Sequence, residues 1–151
     1  MIMDKEALFF DEVTLPTAAT LASSSYDLGA AGLRPGMGEM VRLFAQITGA
    51  NAAGLTNALI QVVADTVATL ASPTVLYATP VVVTATMVVG YRFNIPALPV
   101  DNIAEQFIGL TVVTTGPAPT GLARLSGGII TGDQNLQIGW PGVAAETGFN
   151  R

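Results

Sequence analysis

Few groups in this chain could do chemistry, because it contains neither histidine nor cysteine. The usual general base, the usual nucleophile–base pairs and the preferred zinc ligands are therefore absent. A Ser–Lys pair would depend on Lys5, the only lysine. The adjacent carboxylates of Asp11 and Glu12 point to opposite faces if they lie on a strand, so they could not act as paired acids there. The residue types predict a protein that is not an enzyme, with acids that converge in the fold as the open alternative.

Three short segments have the composition of special loops. Asp133-Gln134-Asn135 offers oxygen ligands of the kind that calcium takes, but no Glu follows at the required distance, so an Asx turn is favoured. Gly36-Met37-Gly38 lacks the third glycine and the Lys-Ser/Thr of a phosphate-binding loop and is typical of a turn. Gly127-Gly128 favours a bulge or close backbone packing, with the approach of another chain as the alternative. We expect no catalytic residue, no metal and no cofactor.

Charge and hydropathy restrict the kind of partner. The 151 residues include six Lys and Arg against eleven Asp and Glu, which gives a net charge of −5. The cations are scattered, whereas nucleic-acid binding needs them clustered, so we expect no nucleic-acid partner. Charged residues form 11% of the chain, against about 25% in typical soluble domains, and hydrophobic residues form 50%. We therefore expect protein partners to cover much of the surface.

A membrane is the competing explanation for so apolar a chain, and length argues against it. A spanning helix needs about 20 consecutive apolar residues. The longest candidate, residues 81–90, is shorter, contains threonine and lies between Pro80 and Arg92. The N-terminus carries Asp4 and Glu6 where a secretion signal carries positive charge. We expect neither a membrane span nor a signal peptide.

Runs rich in Val, Ile, Thr and Leu, separated by Gly and Pro, predict an all-β fold of the sandwich or barrel type. Residues 40–47 alternate clearly, and the residues that share their apolar face are Val41, Leu43, Ala45 and Ile47. Further strands are predicted at residues 58–65, 91–95, 107–115, 122–130 and 135–140. Residues 58–70 also have apolar positions at helical spacing, but their β-branched side chains favour a strand.

The two ends of the chain differ from the middle. Residues 1–12 predict an N-terminal arm, residues 13–139 the sandwich domain, and residues 140–151 a C-terminal tail. Buried aromatic side chains dominate the binding energy of protein interfaces. The candidate interface residues are accordingly Leu8, Phe9, Phe10, Trp140 and Phe149. Because neighbours on a strand face opposite sides, the alternative for Phe9 and Phe10 is that one of them packs into the core instead.

The order of several short motifs resembles the small capsid cement, or decoration, proteins of tailed bacteriophages, of the type found in a Bordetella phage. The resemblance extends over roughly residues 2–131, and the shared order of the fragments carries it. These fragments are Met1-Ile2-Met3-Asp4, Leu8-Phe9-Phe10-Asp11, Tyr26-Asp27-Leu28-Gly29, Gln61-Val62-Val63-Ala64-Asp65, Leu70-Ala71-Ser72-Pro73-Thr74-Val75-Leu76, Gly90-Tyr91-Arg92-Phe93, Phe107-Ile108-Gly109-Leu110-Thr111-Val112 and Thr120-Gly121.

The resemblance implies a jelly-roll-like antiparallel β-sandwich with extended N- and C-terminal arms, which self-associates as a homodimer or homotrimer. It would be made in the host bacterial cytoplasm, lie on the outer surface of the virion head, and clamp neighbouring subunits of the major capsid protein. Two alternatives stay open. One is a structural module of the phage tail or of a head fibre. The other is a carbohydrate-binding jelly roll in which Trp140 stacks on a sugar, although packing of Trp140 in a core or interface is favoured.

Overall fold

Alternating apolar residues form the central strands, as their pattern predicts. The computed structural model describes residues 8–29, 40–99, 103–119 and 123–130. Strand β3 (Met40–Gly49) buries every second residue, and these are Val41, Leu43, Ala45 and Ile47. Strand β4 (Asn57–Asp65) buries Ala58, Ile60, Val62 and Ala64 in the same way, and at its end Val63 and Asp65 are buried as well. The predicted strand at 107–115 is β8 (Phe107–Thr115).

The remaining strands complete two antiparallel sheets. They are β1 (Leu8–Thr14), β2 (Thr20–Asp27), β5 (Thr74–Ala78), β6 (Val82–Val83), β7 (Leu98–Pro99) and β9 (Ala123–Ile130). Sheet one has the order β1-β9-β3-β7, and sheet two has the order β2-β8-β4-β5, with the short β6 also paired to β4. Apart from β4, β5 and β6, which share sheet two, successive strands alternate between the two sheets in the nested manner of a jelly roll. The predicted all-β, jelly-roll-like sandwich is confirmed.

The core lies between the sheets, where the inward faces of both meet. Its largest fully buried side chains include Ile47 of sheet one and Ile60, Ile108 and Leu110 of sheet two. Met87 also enters this core, from the segment after a single 3-10 turn at Thr84–Thr86.

Both arm phenylalanines pack into this core, whereas the sequence made both of them candidate interface residues, with core packing of one as the alternative. Leu8 pairs with Gly128 and Phe10 with Gly127, so two steps along β1 match one step along β9. Phe9 is the extra residue of this β-bulge. A bulge breaks the strict alternation of side chains, so Phe9 and Phe10 are only 5% and 1% exposed. The predicted boundary at residue 12 between arm and sandwich thus falls inside β1.

The glycines opposite the bulge confirm the prediction of close backbone packing at Gly127-Gly128. A Cβ on Gly127 would lie 2.9 Å from the carbonyl oxygen of Phe44 and 3.1 Å from Leu110 Cδ1. A larger residue at position 127 would therefore require the β3 backbone or the side chain of Leu110 to move.

The predicted strand at 91–95 is an extended segment instead, with one isolated bridge between Arg92 and Gln46. Its backbone joins the edge of β3 through Ile47 N–H to the Tyr91 carbonyl and Phe93 N–H to the Ala45 carbonyl. Pro96 follows at once and cannot donate to a ladder, so the pairing stops. The predicted strand at 135–140 lies outside the described residues.

Candidate functional site

The residues predicted to contact a partner are distributed unevenly in the structure. Phe9 and Phe10 are covered within the chain itself, which leaves neither ring exposed for a partner. Leu8 is half-buried at the start of β1. Trp140 and Phe149 lie outside the described residues. Among the predicted interface residues that the structure describes, only Leu8 retains exposed surface.

The adjacent acids at the end of β1 do not form a paired-carboxylate site. Asp11 is exposed, and the carboxylate of Glu12 accepts a hydrogen bond from Arg124 Nη1 at 3.2 Å. Glu12 adopts a left-handed backbone conformation (φ 48°) at a second irregularity of the β1–β9 register. Within residues 8–29, 40–99, 103–119 and 123–130, no three acidic side chains come close enough together to hold a metal ion.

Asp65, the most buried acid that the structure describes, has a structural role. Its Oδ2 accepts the N–H of Ser72 at 3.0 Å, and its Oδ1 accepts the N–H of Val67 at 3.2 Å and the hydroxyl of Thr66 at 3.4 Å. The Ser72 N–H above all, helped by those of Val67 and Thr66, holds the pKa of Asp65 below its ordinary value of 3.8, although burial acts in the opposite direction. Asp65 thus ties the loop 66–73 to the end of β4.

This loop, which we call the strap, folds over the outer face of sheet two. Leu70 is 4% exposed and lies against Gly109 of β8. The hydroxyl of Ser25 on β2 donates to the carbonyl of Ala68 at 2.7 Å. The strap therefore crosses from β4 to β2 and covers one end of the face.

Beyond the strap, the outer face of sheet two is uncharged. Residues opposite one another in a strand pair share a face, so the strand registers define its members. We call this surface the neutral face, and it consists of Thr20, Ala22, Asn57, Leu59, Gln61, Val75, Ala78, Val83, Thr111, Val113 and Thr115. The next row is covered, because Ser25 and Gly109 contact the strap and Val63 is 1% exposed. Charge returns in the final row, where Asp27 and Asp65 flank Phe107.

Polar groups on the neutral face bond to one another. Thr111 Oγ1 donates to Gln61 Oε1 at 3.1 Å, and the Thr115 hydroxyl donates to Asn57 Oδ1. Between them, Leu59 and Val113 are half-buried, while Val75 and Val83 at the margin are 48% and 56% exposed. A surface of this kind can lose its water at low cost, because it combines apolar groups with polar groups that already have partners.

The outer face of sheet one is charged by contrast. Arg42 and Arg124 occupy outward positions on β3 and β9, and Glu12 is bonded to Arg124. Arg92 Nε donates to Gln46 Oε1 on the same face at 3.2 Å. The two outer faces of the sandwich therefore differ in charge. Only the outer face of sheet two has the low charge that is typical of the centre of a protein interface.

Sequence reasoning missed the neutral face, although two patterns pointed to it. Residues 66–91 contain no Asp, Glu, Lys or Arg. The outward positions of β4 and β8 up to Val63 and Gly109 are also uncharged, which the alternation of both strands already indicated. The sequence does not show which strands are neighbours. It is the pairing of β4 with β8 that places their uncharged outward residues side by side.

Comparison with known proteins finds no family model that matches the chain and no curated protein that matches it. In the described part of the chain, no helix has the length and apolar character needed to cross a membrane.

Proposed function

We propose that this protein is a cement, or decoration, protein of a tailed-bacteriophage head, which binds the outer surface of the capsid and clamps neighbouring major capsid protein subunits. The neutral face of sheet two is the observation that carries the proposal. Two further observations support the proposal. The order of the short sequence motifs resembles that of cement proteins, and the fold is jelly-roll-like.

The neutral face is the part of the described surface best suited to a large, flat protein partner. The chain has a net charge of −5, yet this face carries no charged side chain between Asn57 and Val63 on its central strand. Charged residues are depleted from the centres of protein interfaces because each would have to lose its water. We place the neutral face against the capsid and the arginine-bearing face of sheet one toward solvent.

Many weak contacts suffice for this function. A protein held at repeated positions on a lattice gains binding strength from effective concentration. Because it would bind the assembled lattice and not its dissociated subunits, it would stabilise the lattice by mass action. No catalytic group is required, in keeping with the absence of histidine and cysteine.

The test is co-sedimentation of the purified chain with heads of the encoding phage from which the decoration protein has been stripped. We expect saturable binding at a fixed ratio to the major capsid protein, together with a higher melting temperature of the heads. Failure to bind heads in any state would overturn the proposal. A structural role in the tail or a head fibre, or the binding of glycans, would then have to be tested.

A matched pair of isosteric variants tests which outer face of the sandwich contacts the capsid. Gln61→Glu adds one negative charge at the centre of the neutral face, and Gln46→Glu adds the same charge to the opposite face, where Arg92 can accept it as a partner. We expect Gln61→Glu to weaken head binding about tenfold, equivalent to about 1.4 kcal/mol, because a buried charge would lose its water. Gln46→Glu should bind normally. Equal effects of the two variants would show that the neutral face is not the contact.

A further inference from the structure

All the cations that the structure describes lie on one face of this acidic chain. Arg42 and Arg124 occupy outward positions on β3 and β9, and Arg92 is bridged to Gln46 on the same side. Of the three, only Arg124 forms an ion pair with a described acid, Glu12. Arg42 and Arg92 therefore make the outer face of sheet one locally positive, although the chain as a whole has a net charge of −5.

An aromatic ring lies between these two unpaired arginines. Phe44 is the outward residue that follows Arg42 on β3, and Gln46, the bridge partner of Arg92, is the next one. One outward step along a strand is about 7 Å, so a guanidinium group is available on either side of the ring. Phe44 is half-buried and does not belong to the core between the sheets. Opposite it on β9 lies Gly128, which has no side chain to stand beside the ring.

The polar groups around Phe44 have unused hydrogen-bonding capacity. Arg92 donates to Gln46 Oε1 through Nε at 3.2 Å, which orients its guanidinium plane. Within the described residues, no group accepts a hydrogen bond from its two terminal nitrogens or from Arg42. A guanidinium fork of this kind matches the two oxygens of a carboxylate. Gln46 and Ser126, which are opposite one another on β3 and β9, add an amide and a hydroxyl.

We propose that this face of sheet one binds an acidic saccharide, with a pyranose ring stacked on Phe44 and its carboxylate held by Arg92 and Arg42. The face of an aromatic ring is electron-rich, so it attracts the polarised C–H groups on the flat side of a sugar. The arginines select a ligand that carries negative charge, because opposite charges complement each other. Gln46 and Ser126 are placed to bond the sugar hydroxyls.

The number and surroundings of the arginines favour a saccharide over a nucleic acid. Two unpaired guanidinium groups would neutralise two phosphates, whereas nucleic-acid binding draws its strength from many such contacts. On the neighbouring strand β1, Asp11 and Glu12 are both exposed and would repel a continuous run of phosphates. A sugar with one carboxylate on its ring needs only the aromatic surface and one or two arginines.

This site lies on the opposite side of the sandwich from the neutral face. A molecule attached to a head through sheet two would present the Phe44 side to solvent, where it would hold the particle to acidic polysaccharide of a bacterial surface. Saccharide binding itself is a property of the isolated chain. Only this use of it rests on the proposed function.

Isothermal titration calorimetry of the full chain with trigalacturonate tests the proposal, and the fully methyl-esterified trisaccharide is the matched control ligand. We expect the acid to bind saturably and the ester to bind about tenfold more weakly or less, because the ester keeps the sugar rings but lacks the negative charges. Phe44→Ala and Arg92→Gln should each weaken binding of the acid by about three- to tenfold. Arg124→Gln is the control, because it makes the same change of charge on the same face at a guanidinium that already has a partner.

Nuclear magnetic resonance locates the site. The acid should shift the backbone amides of Phe44 and Gln46 and leave those of Leu59 and Val113 on the neutral face unchanged. Far-ultraviolet circular dichroism establishes that each variant is folded, and Arg92→Gln carries the test if Phe44→Ala does not fold.

Several results would overturn the proposal. These are no binding of the acid, equal binding of acid and ester, equal effects of Arg92→Gln and Arg124→Gln, or shifts confined to the neutral face. Tighter binding of an oligothymidylate or of tetraglutamate would also overturn it and assign the face to a nucleic acid or to an acidic peptide. If the trisaccharide does not bind but the chain still sediments with heads, this inference fails and the proposed function stands. Binding of the trisaccharide by a chain that does not bind heads has the opposite meaning.

Discussion

The side chain of Leu70 occupies the space in which a Cβ of residue 109 would stand. Its Cδ1 lies 2.5 Å from that position, so Gly109 is what allows the strap to lie flat on sheet two. Leu70 adopts a left-handed backbone conformation (φ 51°), and its N–H donates to the Val67 carbonyl at 3.2 Å. A leucine in this conformation is strained, and burial of its side chain offsets the strain.

This relationship predicts that residues 70 and 109 are energetically coupled. Leu70→Ala should destabilise the fold by about 2 kcal/mol through loss of a buried side chain, and Gly109→Ala by about 1–3 kcal/mol through overpacking. In the double variant the new methyl group occupies the space that Leu70 has left. Urea unfolding of the four chains should therefore give a total cost smaller than the sum by about 0.5–3 kcal/mol. Strictly additive costs would show that the two residues do not share this space.

Asp65 should make stability depend on pH. Its pKa is lowered in the folded chain, so its contribution is present above the unfolded value of 3.8 and is lost as the pH falls through the folded value. Asp65→Asn replaces a carboxylate oxygen that accepts the Ser72 N–H and should lower the urea midpoint at neutral pH. The deficit should shrink as the pH is taken below 3.8. Asp11→Asn corrects for net charge, because it makes the same change at an exposed position. A deficit that is constant down to the lowest pH would contradict this account.

Alanine variants of Gly116 and Gly29 distinguish the cost of backbone strain from the cost of steric overlap. Both have positive φ, at +100° and +82°, but a Cβ on Gly116 would lie 2.5 Å from the backbone nitrogen of Thr56, whereas none of the described residues comes within 4 Å of a Cβ on Gly29. Gly29→Ala should cost about 1–2 kcal/mol, the penalty of left-handed backbone for a residue with a Cβ. Gly116→Ala should cost about 1–3 kcal/mol more, because the Thr56 backbone must move. Thermal unfolding of the two variants measures the difference, and equal costs would exclude a role for the overlap.

Thr114 holds the turn between β1 and β2. Thr114 is 2% exposed; its hydroxyl donates to the Pro16 carbonyl at 2.8 Å, and the Ala19 N–H donates to that hydroxyl at 3.4 Å. Thr114→Val keeps the shape and removes the hydroxyl, which should cost about 0.5–1.5 kcal/mol because the Pro16 carbonyl and the Ala19 N–H lose a partly buried hydrogen-bond partner. Thr20→Val, at an exposed position, is the matched control and should change the free energy of unfolding by less than about 0.5 kcal/mol.

The single strands were predictable because alternation is a local property. The apolar rows of β3 and β4 are visible in the sequence, and burial alternates with them along β3 and along β4 as far as Val62. The bulge at Phe9 was not predictable, since it exists only in relation to β9, more than a hundred residues away along the chain. The strap was missed for a similar reason: the position of Leu70 depends on a glycine in β8.

By itself, the sequence determined an all-β fold of the sandwich or barrel type, a chain without histidine or cysteine, and a composition that is 50% hydrophobic and only 11% charged. The tertiary structure decided which rows lie together. The neutral face exists because Gln61 of β4 is paired with Thr111 of β8 and Ala78 of β5, residues that are far apart in the chain. A period of two residues specifies which side of a strand is apolar, but it does not specify the neighbouring strand. That choice is made by the packing of the whole sandwich, and the candidate binding surface appears only with it.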